Sequence, residues 1–219
     1  MAKIFAAGLP GCSAYATALA CVSLDVRAGD AVVIAGAAGS GKTTLLLCAA
    51  GLLVPDAGDV LWRDSPARAT PMGGLVRYVA PRLGAHVLVT VEEALLYHAL
   101  RHDATLHART LASVPELIAA LDLRSMLRTP VDLLPTRERY RVAIAESLVL
   151  GAQVLALDDP PDDAVAAMLL SALRSRGLGL IAVNAGASLL ASATHSLALV
   201  GGRVRSEPPR VHRVAEDCA

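Results

Sequence analysis

Gly36-Ala-Ala-Gly-Ser-Gly-Lys-Thr43, with Thr44 behind it, decides how the rest of this chain is read. It satisfies G-x-x-x-x-G-K-[ST] at every fixed position. Before it, Ala31-Val-Val-Ile-Ala35 is a short apolar run rich in β-branched residues, the composition of a buried strand. After it, Thr43-Thr-Leu-Leu-Leu-Cys-Ala-Ala-Gly51 reads as a helix closed by glycine. Strand, glycine loop and helix in that order make a phosphate cradle. The glycines let backbone N–H groups converge on phosphate oxygens, and the helix N-terminus adds partial positive charge. Gly36, Gly39, Ser40, Gly41, Lys42, Thr43 and Thr44 are the expected binding set. Lys42 would bridge the β and γ phosphates, and Thr43 would hold Mg²⁺. A glycine-rich turn that binds nothing is the plain alternative, and the complete motif in its complete setting weighs against it. The chain has eighteen arginines and two lysines, Lys3 and Lys42. A sequence that otherwise uses arginine keeps lysine where a compact point charge is wanted.

At 219 residues the chain is long enough for one large domain with an ample core. Apolar residues make up 54% and aromatics 3%, so that core is aliphatic. A net charge of zero argues against a nucleic-acid binder that relies on a general positive field. Cys12, Cys21, Cys48 and Cys218 lie far apart without a C-x-x-C pair, which indicates neither a zinc site nor a disulfide framework. Small apolar fillers in a reducing cytoplasm are the expectation. Residues 2–10 are too short for a signal-peptide hydrophobic region. The long uncharged run from Gly177 to Gly202 contains Asn184, His195 and several small polar residues, so a buried α/β segment explains it better than a membrane span.

Along the chain, the alternation of Val22, Leu24 and Val26 with Ser23 and Asp25 predicts a half-exposed strand within 19–27. Short strands are expected at 60–63 and 75–80, the second stopped by Pro81, with a loop from Ser65 to Gly74. From 90 to 150 the pattern turns helical. Thr90-Val-Glu-Glu93 offers a cap with acids in the first turn, Ser113 opens a second helix, and Arg137 to Leu150 forms a third. Strands return at 153–157 and 178–183, with a helix over 164–174 between them and a hairpin around Gly201-Gly202. A single domain over 1–219 is expected, with a helical subdomain at about 85–150 and a mobile tail at about 206–219.

Apolar strands ending in Asp158 and Asn184, together with the phosphate loop, place all three at the carboxyl edge of one sheet, where open α/β folds bind ligands. Asp158 after Val154-Leu-Ala-Leu157 has the form of a Walker B acid that holds Mg²⁺ through water. Asp159 is the candidate to polarise an attacking water. A merely polar turn at Asp-Asp-Pro-Pro is the alternative. His98, His102 and His107 lack an acidic third ligand in register, so a solvated helix face is favoured over a metal site. Tyr15 is either a partly buried tyrosine or a platform for a nucleotide base.

With these pieces in place, about residues 12–205 resemble the ATP-binding cassette (ABC) ATPases. Residues 36–60 look like that family's Walker A segment and the turn after it. Arg141-Val-Ala-Ile-Ala-Glu-Ser-Leu148, then Leu155-Ala-Leu-Asp-Asp-Pro160, looks like the helix after its signature motif and its Walker B strand. The resemblance implies an α/β P-loop NTPase with a mixed central sheet, an N-terminal antiparallel β part and a helical subdomain. It also implies ATP and Mg²⁺ as ligands, with Tyr15 at the adenine-stacking position. Its catalytic glutamate falls on Asp159 and its switch histidine on Asn184.

Other positions depart from the family as well. The Gln-loop position falls near Pro81, and Leu134-Pro-Thr-Arg-Glu138 stands for the Leu-Ser-Gly-Gly-Gln signature that clamps the opposite subunit's γ-phosphate. Thr136 could still cap the signature helix. Arg137 and Arg139 bring positive charge to a helix start, which suits either a nearby anion or solvated surface charges. Binding groups are therefore complete while hydrolytic groups are altered. The expected function is a MgATP-binding, slowly hydrolysing cytoplasmic subunit. By family resemblance it works as a homo- or heterodimer, held at the inner face of the membrane through a permease. A regulatory or scaffold module that binds ATP with little turnover is the alternative from another class. A small-molecule kinase is disfavoured by the cassette order from Arg141 to Pro160.

Overall fold

The computed structural model describes residues 3–6, 15–62, 65–66, 75–80, 89–100, 114–161, 169 and 177–206. Pro81, His102, His107, most of the helix expected at 164–174 and the tail beyond 206 lie outside them, as do the side chains of Tyr15 and His98.

Five strands pair in parallel here; the three central ones are apolar runs with little alternation, buried almost throughout, while the outer two are only partly buried. The five are β3 (Ala31–Ala35), β6 (Val76–Val79), β7 (Val154–Asp158), β8 (Gly179–Val183) and β9 (His195–Val200). With β10 (Arg203–Ser206) they form a six-stranded sheet in the order β10-β9-β3-β8-β7-β6. Only the β9–β10 hairpin, turning at Gly201-Gly202 as the sequence indicates, is antiparallel. Near the amino terminus β1 (Lys3–Ala6) pairs antiparallel with β2 (Tyr15–Leu19). A second small ladder joins β4 (Leu61–Trp62) to β5 (Ser65–Pro66), where the sequence suggested that a loop begins at Ser65.

Strand parity sorts the side chains into two cores. On one face Val32, Ile34, Val154, Ala156, Ile181 and Val183 pack with Leu45, Leu46 and Cys48 of α1 (Lys42–Ala49). On the other, Ala31, Val33, Leu155, Leu157, Leu180 and Ala182 pack against a helical layer. That layer comprises α2 (Val91–Leu100), α3 (residues 114–120), α4 (Thr136–Val149) and α5 (Ala187–Ala191). Each fully buried Leu, Ile or Val contributes about 1.5–3 kcal/mol. The expected cap on α2 is a reciprocal box: the Thr90 backbone N–H and hydroxyl donate to Glu93 Oε2 at 2.9 and 2.7 Å, and the Glu93 N–H returns to Thr90 Oγ1 at 3.3 Å.

The strand expected within 19–27 is displaced. Tyr15–Leu19 is the strand, and residues 22–27 join none among the described residues. Cys21 at φ 53° breaks the ladder, and Ala20 instead donates to the Gly202 carbonyl at 2.7 Å. The alternation still governs burial, since Val22 is buried while Ser23 and Asp25 are exposed.

Candidate functional site

Parallel register brings the strand ends into line: Ile34 and Asp158 both pair with Val183, and Val79 pairs with Leu157. The phosphate loop, Asp158, Asp159 and Asn184 therefore leave the sheet at one edge. The loop needs glycine for two reasons. A Cβ on Gly41, at φ 99°, would strike the Ala18 carbonyl of β2, and one on Gly36 would meet Leu199 O and Ser40 Oγ. Ser40 and Lys42 are buried while Gly36, Gly39 and Thr43 face outward and Thr44 is half-buried. Lys42 Nζ donates to the Gly36 and Ala37 carbonyls at 2.7 and 2.8 Å, and lies 3.5 Å from Ser40 Oγ. The ammonium is thus drawn over the loop, at the start of a helix with Gly41 as its N-cap.

Asp158 is buried at 7% exposure, and its parity puts it on the α1 face of the sheet. There Thr43 Oγ1 donates to its Oδ2 at 2.9 Å, joining the loop helix to the end of β7. Hydroxyl and carboxylate oxygens are the donor set that a hard divalent cation takes. With the glycine cradle beside them, these residues fit a magnesium-bound nucleotide phosphate. Next along the chain, Asn184 Nδ2 donates to Asp159 Oδ1 at 2.6 Å. Both residues stand at positive φ, 46° for Asp159 and 53° for Asn184. Asp and Asn are among the side chains that tolerate this region, which a β-branched or bulky residue would not. The two sequence candidates for hydrolysis are brought into direct contact.

Residues 19–162 match the family model described as ABC transporter. The chain belongs to this family. Among curated ABC relatives, the sulfate/thiosulfate import ATP-binding protein of Xanthomonas campestris pv. campestris is 36% identical over 149 residues, covering 66% of this chain and 43% of that protein. The cytochrome c biogenesis ATP-binding export protein of Cupriavidus necator is 31% identical over 173 residues, 75% of each chain. In three dimensions a dimeric bacterial ABC transporter cassette superposes with a TM-score of 0.80 at 20% identity, covering 95% of this chain and 96% of that one. The fold is the ABC cassette fold, an α/β P-loop NTPase with a mixed sheet.

Two tyrosines that the sequence did not mark converge on Asp158 in this cassette. Tyr78 of β6 donates to Asp158 Oδ2 at 2.8 Å. Tyr140 of α4, almost fully buried, places its hydroxyl 3.2 Å from the Asp158 carbonyl oxygen and 3.3 Å from that of Val79. Burial pushes both phenols well above the ordinary tyrosine range, and the nearby Asp158 charge adds to the shift. Both remain protonated donors at any working pH. The one available signal was scarcity: two of the four tyrosines in a chain with 3% aromatics converge on one aspartate. Tyr140→Phe removes the one phenolic hydrogen that two buried carbonyls share. It is expected to cost about 1–3 kcal/mol, which lowers the melting temperature by about 2–4 °C per kcal/mol in a chain of this size. Scanning calorimetry checks it, and an unchanged melting temperature would show these bonds to be idle.

At the signature position the helix opens differently from expectation. Pro135 is the N-cap and makes no side-chain cap, so Thr136 is already the first helical residue and does not cap it. Instead Thr136 Oγ1 accepts from Arg139 Nη2 at 3.3 Å. Arg139 is half-buried, with its Nε buried. Among the described residues there is no His/Cys/Asp/Glu metal cluster, and no helix is long and apolar enough to cross a membrane.

Proposed function

We propose that this chain binds MgATP at the sheet edge and serves as the nucleotide-binding subunit of an ABC transporter, with slow hydrolysis. The observation that carries the reading is the Thr43–Asp158 bond at 2.9 Å, because it unites loop, helix and acidic strand end in one phosphate-and-metal site. In this reading Lys42 and the loop N–H groups hold the phosphates, while Thr43 and Asp158 hold Mg²⁺, directly and through water. The ion supplies charge neutralisation at the transferring phosphate. Asp159, steadied by Asn184, accepts the proton of an attacking water. Tyr15, at the start of β2, is proposed as the base platform.

The relatives' names concern sulfate/thiosulfate import and cytochrome c biogenesis export. For this chain we propose the shared role alone: a subunit peripheral to the inner face of the membrane, docked on a separate permease. The Pro135-Thr-Arg-Glu138 helix start lacks the signature's serine and glycines, so two copies would form two weakened composite sites. Pairing with a paralogue that keeps the signature is favoured. Calorimetry is expected to show Mg-dependent ATP binding in the micromolar-to-millimolar range, about −8 to −4 kcal/mol. Sizing of the chain alone with ATP under non-hydrolysing conditions is expected to show monomer. A tight homodimer would refute the pairing, and absence of Mg-dependent heat would refute the function. The second reading, an ATP-binding regulatory module with little turnover, is favoured by the 2.6 Å Asn184–Asp159 bond, which occupies a carboxylate oxygen. A steady-state rate indistinguishable from background would select it.

A further inference from the structure

We infer that Tyr78 is a positioning residue for the metal site, one that fixes which oxygen of Asp158 serves Mg²⁺. The inference rests on the magnesium-nucleotide reading above. In the β6–β7 register Tyr78 stands beside Ala156, and Asp158 is the next residue of β7 on the same face. One same-face step along a strand is about 6.6 Å, a distance that a tyrosyl side chain spans and a shorter hydroxyl residue does not. The result is two donors on one oxygen: Thr43 Oγ1 at 2.9 Å and Tyr78 Oη at 2.8 Å, both to Asp158 Oδ2. Neither bond uses Oδ1.

This arrangement has a physical consequence. The terminal torsion of aspartate is broad and roughly two-fold, so rotamer preference alone does not fix the carboxylate plane. A single donor from Thr43 also leaves the plane loosely set, because that hydroxyl sits on the helix that carries the phosphate loop. Tyr78 comes from the neighbouring strand of the same sheet, so it ties the carboxylate to the rigid part of the fold. Oδ1 is then the oxygen left for the metal. Groups that orient a metal-site carboxylate in this way typically change metal affinity 10–100-fold when removed.

The test is a Mg²⁺ titration of ATP binding by the full chain, wild type against Tyr78→Phe, with metal-free ATP in EDTA measured alongside. Phenylalanine fills the same volume, and Thr43 still donates to Oδ2. The expected result is a Mg²⁺ midpoint raised about 10-fold, the low end of the outer-shell range, with metal-free ATP affinity unchanged. Mn²⁺ affinity of the nucleotide complex, read by electron paramagnetic resonance, is expected to fall by the same factor. Equal losses with and without metal would make Tyr78 a packing residue and overturn the inference. An unchanged midpoint would overturn it too, while leaving the nucleotide site intact. Wild type without any Mg²⁺ dependence would instead refute the site on which the inference rests.

Discussion

Lys42→Ala is expected to weaken MgATP binding about 100-fold or more while the fold survives. The amine's observed bonds are to the Gly36 and Ala37 carbonyls, and its neighbours are loop atoms at the sheet edge. Its removal therefore leaves both apolar cores untouched. What it removes is the ammonium group of the phosphate loop. A hydrogen bond to a charged group contributes about 1.5–3 kcal/mol, and a lysine that bridges two phosphates makes two of them. Losing about 3 kcal/mol from a starting affinity of about −8 to −4 kcal/mol moves even the tight end of that range past 100 μM and the weak end beyond detection. Lys42→Arg is expected to rescue poorly, because a planar fork cannot occupy the compact position over two adjacent carbonyls. Calorimetry with ATP and Mg²⁺ measures the loss, and a melting curve in the absence of nucleotide verifies the fold. Undiminished Mg-dependent heat in Lys42→Ala would show that the loop does not carry the phosphates.

Much of this site is legible in the sequence because it is local. A glycine loop between a β-branched run and a helix announces itself within about fifteen residues, and in the structure Gly36 to Gly41 link β3 to α1, which starts at Lys42. Asp158 is legible from its own strand, since the parity of Val154-Leu-Ala-Leu157 fixes the face on which it lies. Asp159 and Asn184 are harder. Spacing gives their strand ends, but their mutual contact depends on β7 lying beside β8, which is a property of strand order. Tyr78 and Tyr140 are illegible for the same reason in stronger form. Neither stands in a local pattern that separates a site residue from a core residue. Their meaning appears only when β6, α4 and the end of β7 meet. The displaced β2 has a different cause. Alternating burial at 22–27 is real, but burial on alternate sides does not require a ladder, and the turn at Cys21 takes that stretch away from one.

Asp159→Asn is expected to lower ATP turnover about 10²–10⁴-fold, the usual contribution of a positioned general base, while leaving ATP bound. Asparagine keeps the volume of Asp159 and tolerates its φ of 46°, so the change removes basicity with little else. Wild type is already expected to be slow, well below about 10 s⁻¹, for two reasons visible in the geometry. The carboxylate is one methylene shorter than a glutamate, and Asn184 holds its Oδ1 at 2.6 Å with an amide that keeps one protonation state. Asp159→Glu extends the base, and Asn184→His places at φ 53° a residue type also enriched in that region. Singly Asp159→Glu, and more so the pair, is expected to raise turnover, since in the proposed reading both groups would act on one water and one γ-phosphate. The same backbone that suits aspartate penalises glutamate, by about 1 kcal/mol. Turnover and melting temperature are therefore expected to move in opposite directions in Asp159→Glu. Phosphate release at saturating MgATP, paired with a thermal melt of each variant, measures both. Brisk wild-type turnover that persists in Asp159→Asn would mean that another group takes the proton, and the account of a weakened hydrolytic pair would fall with it.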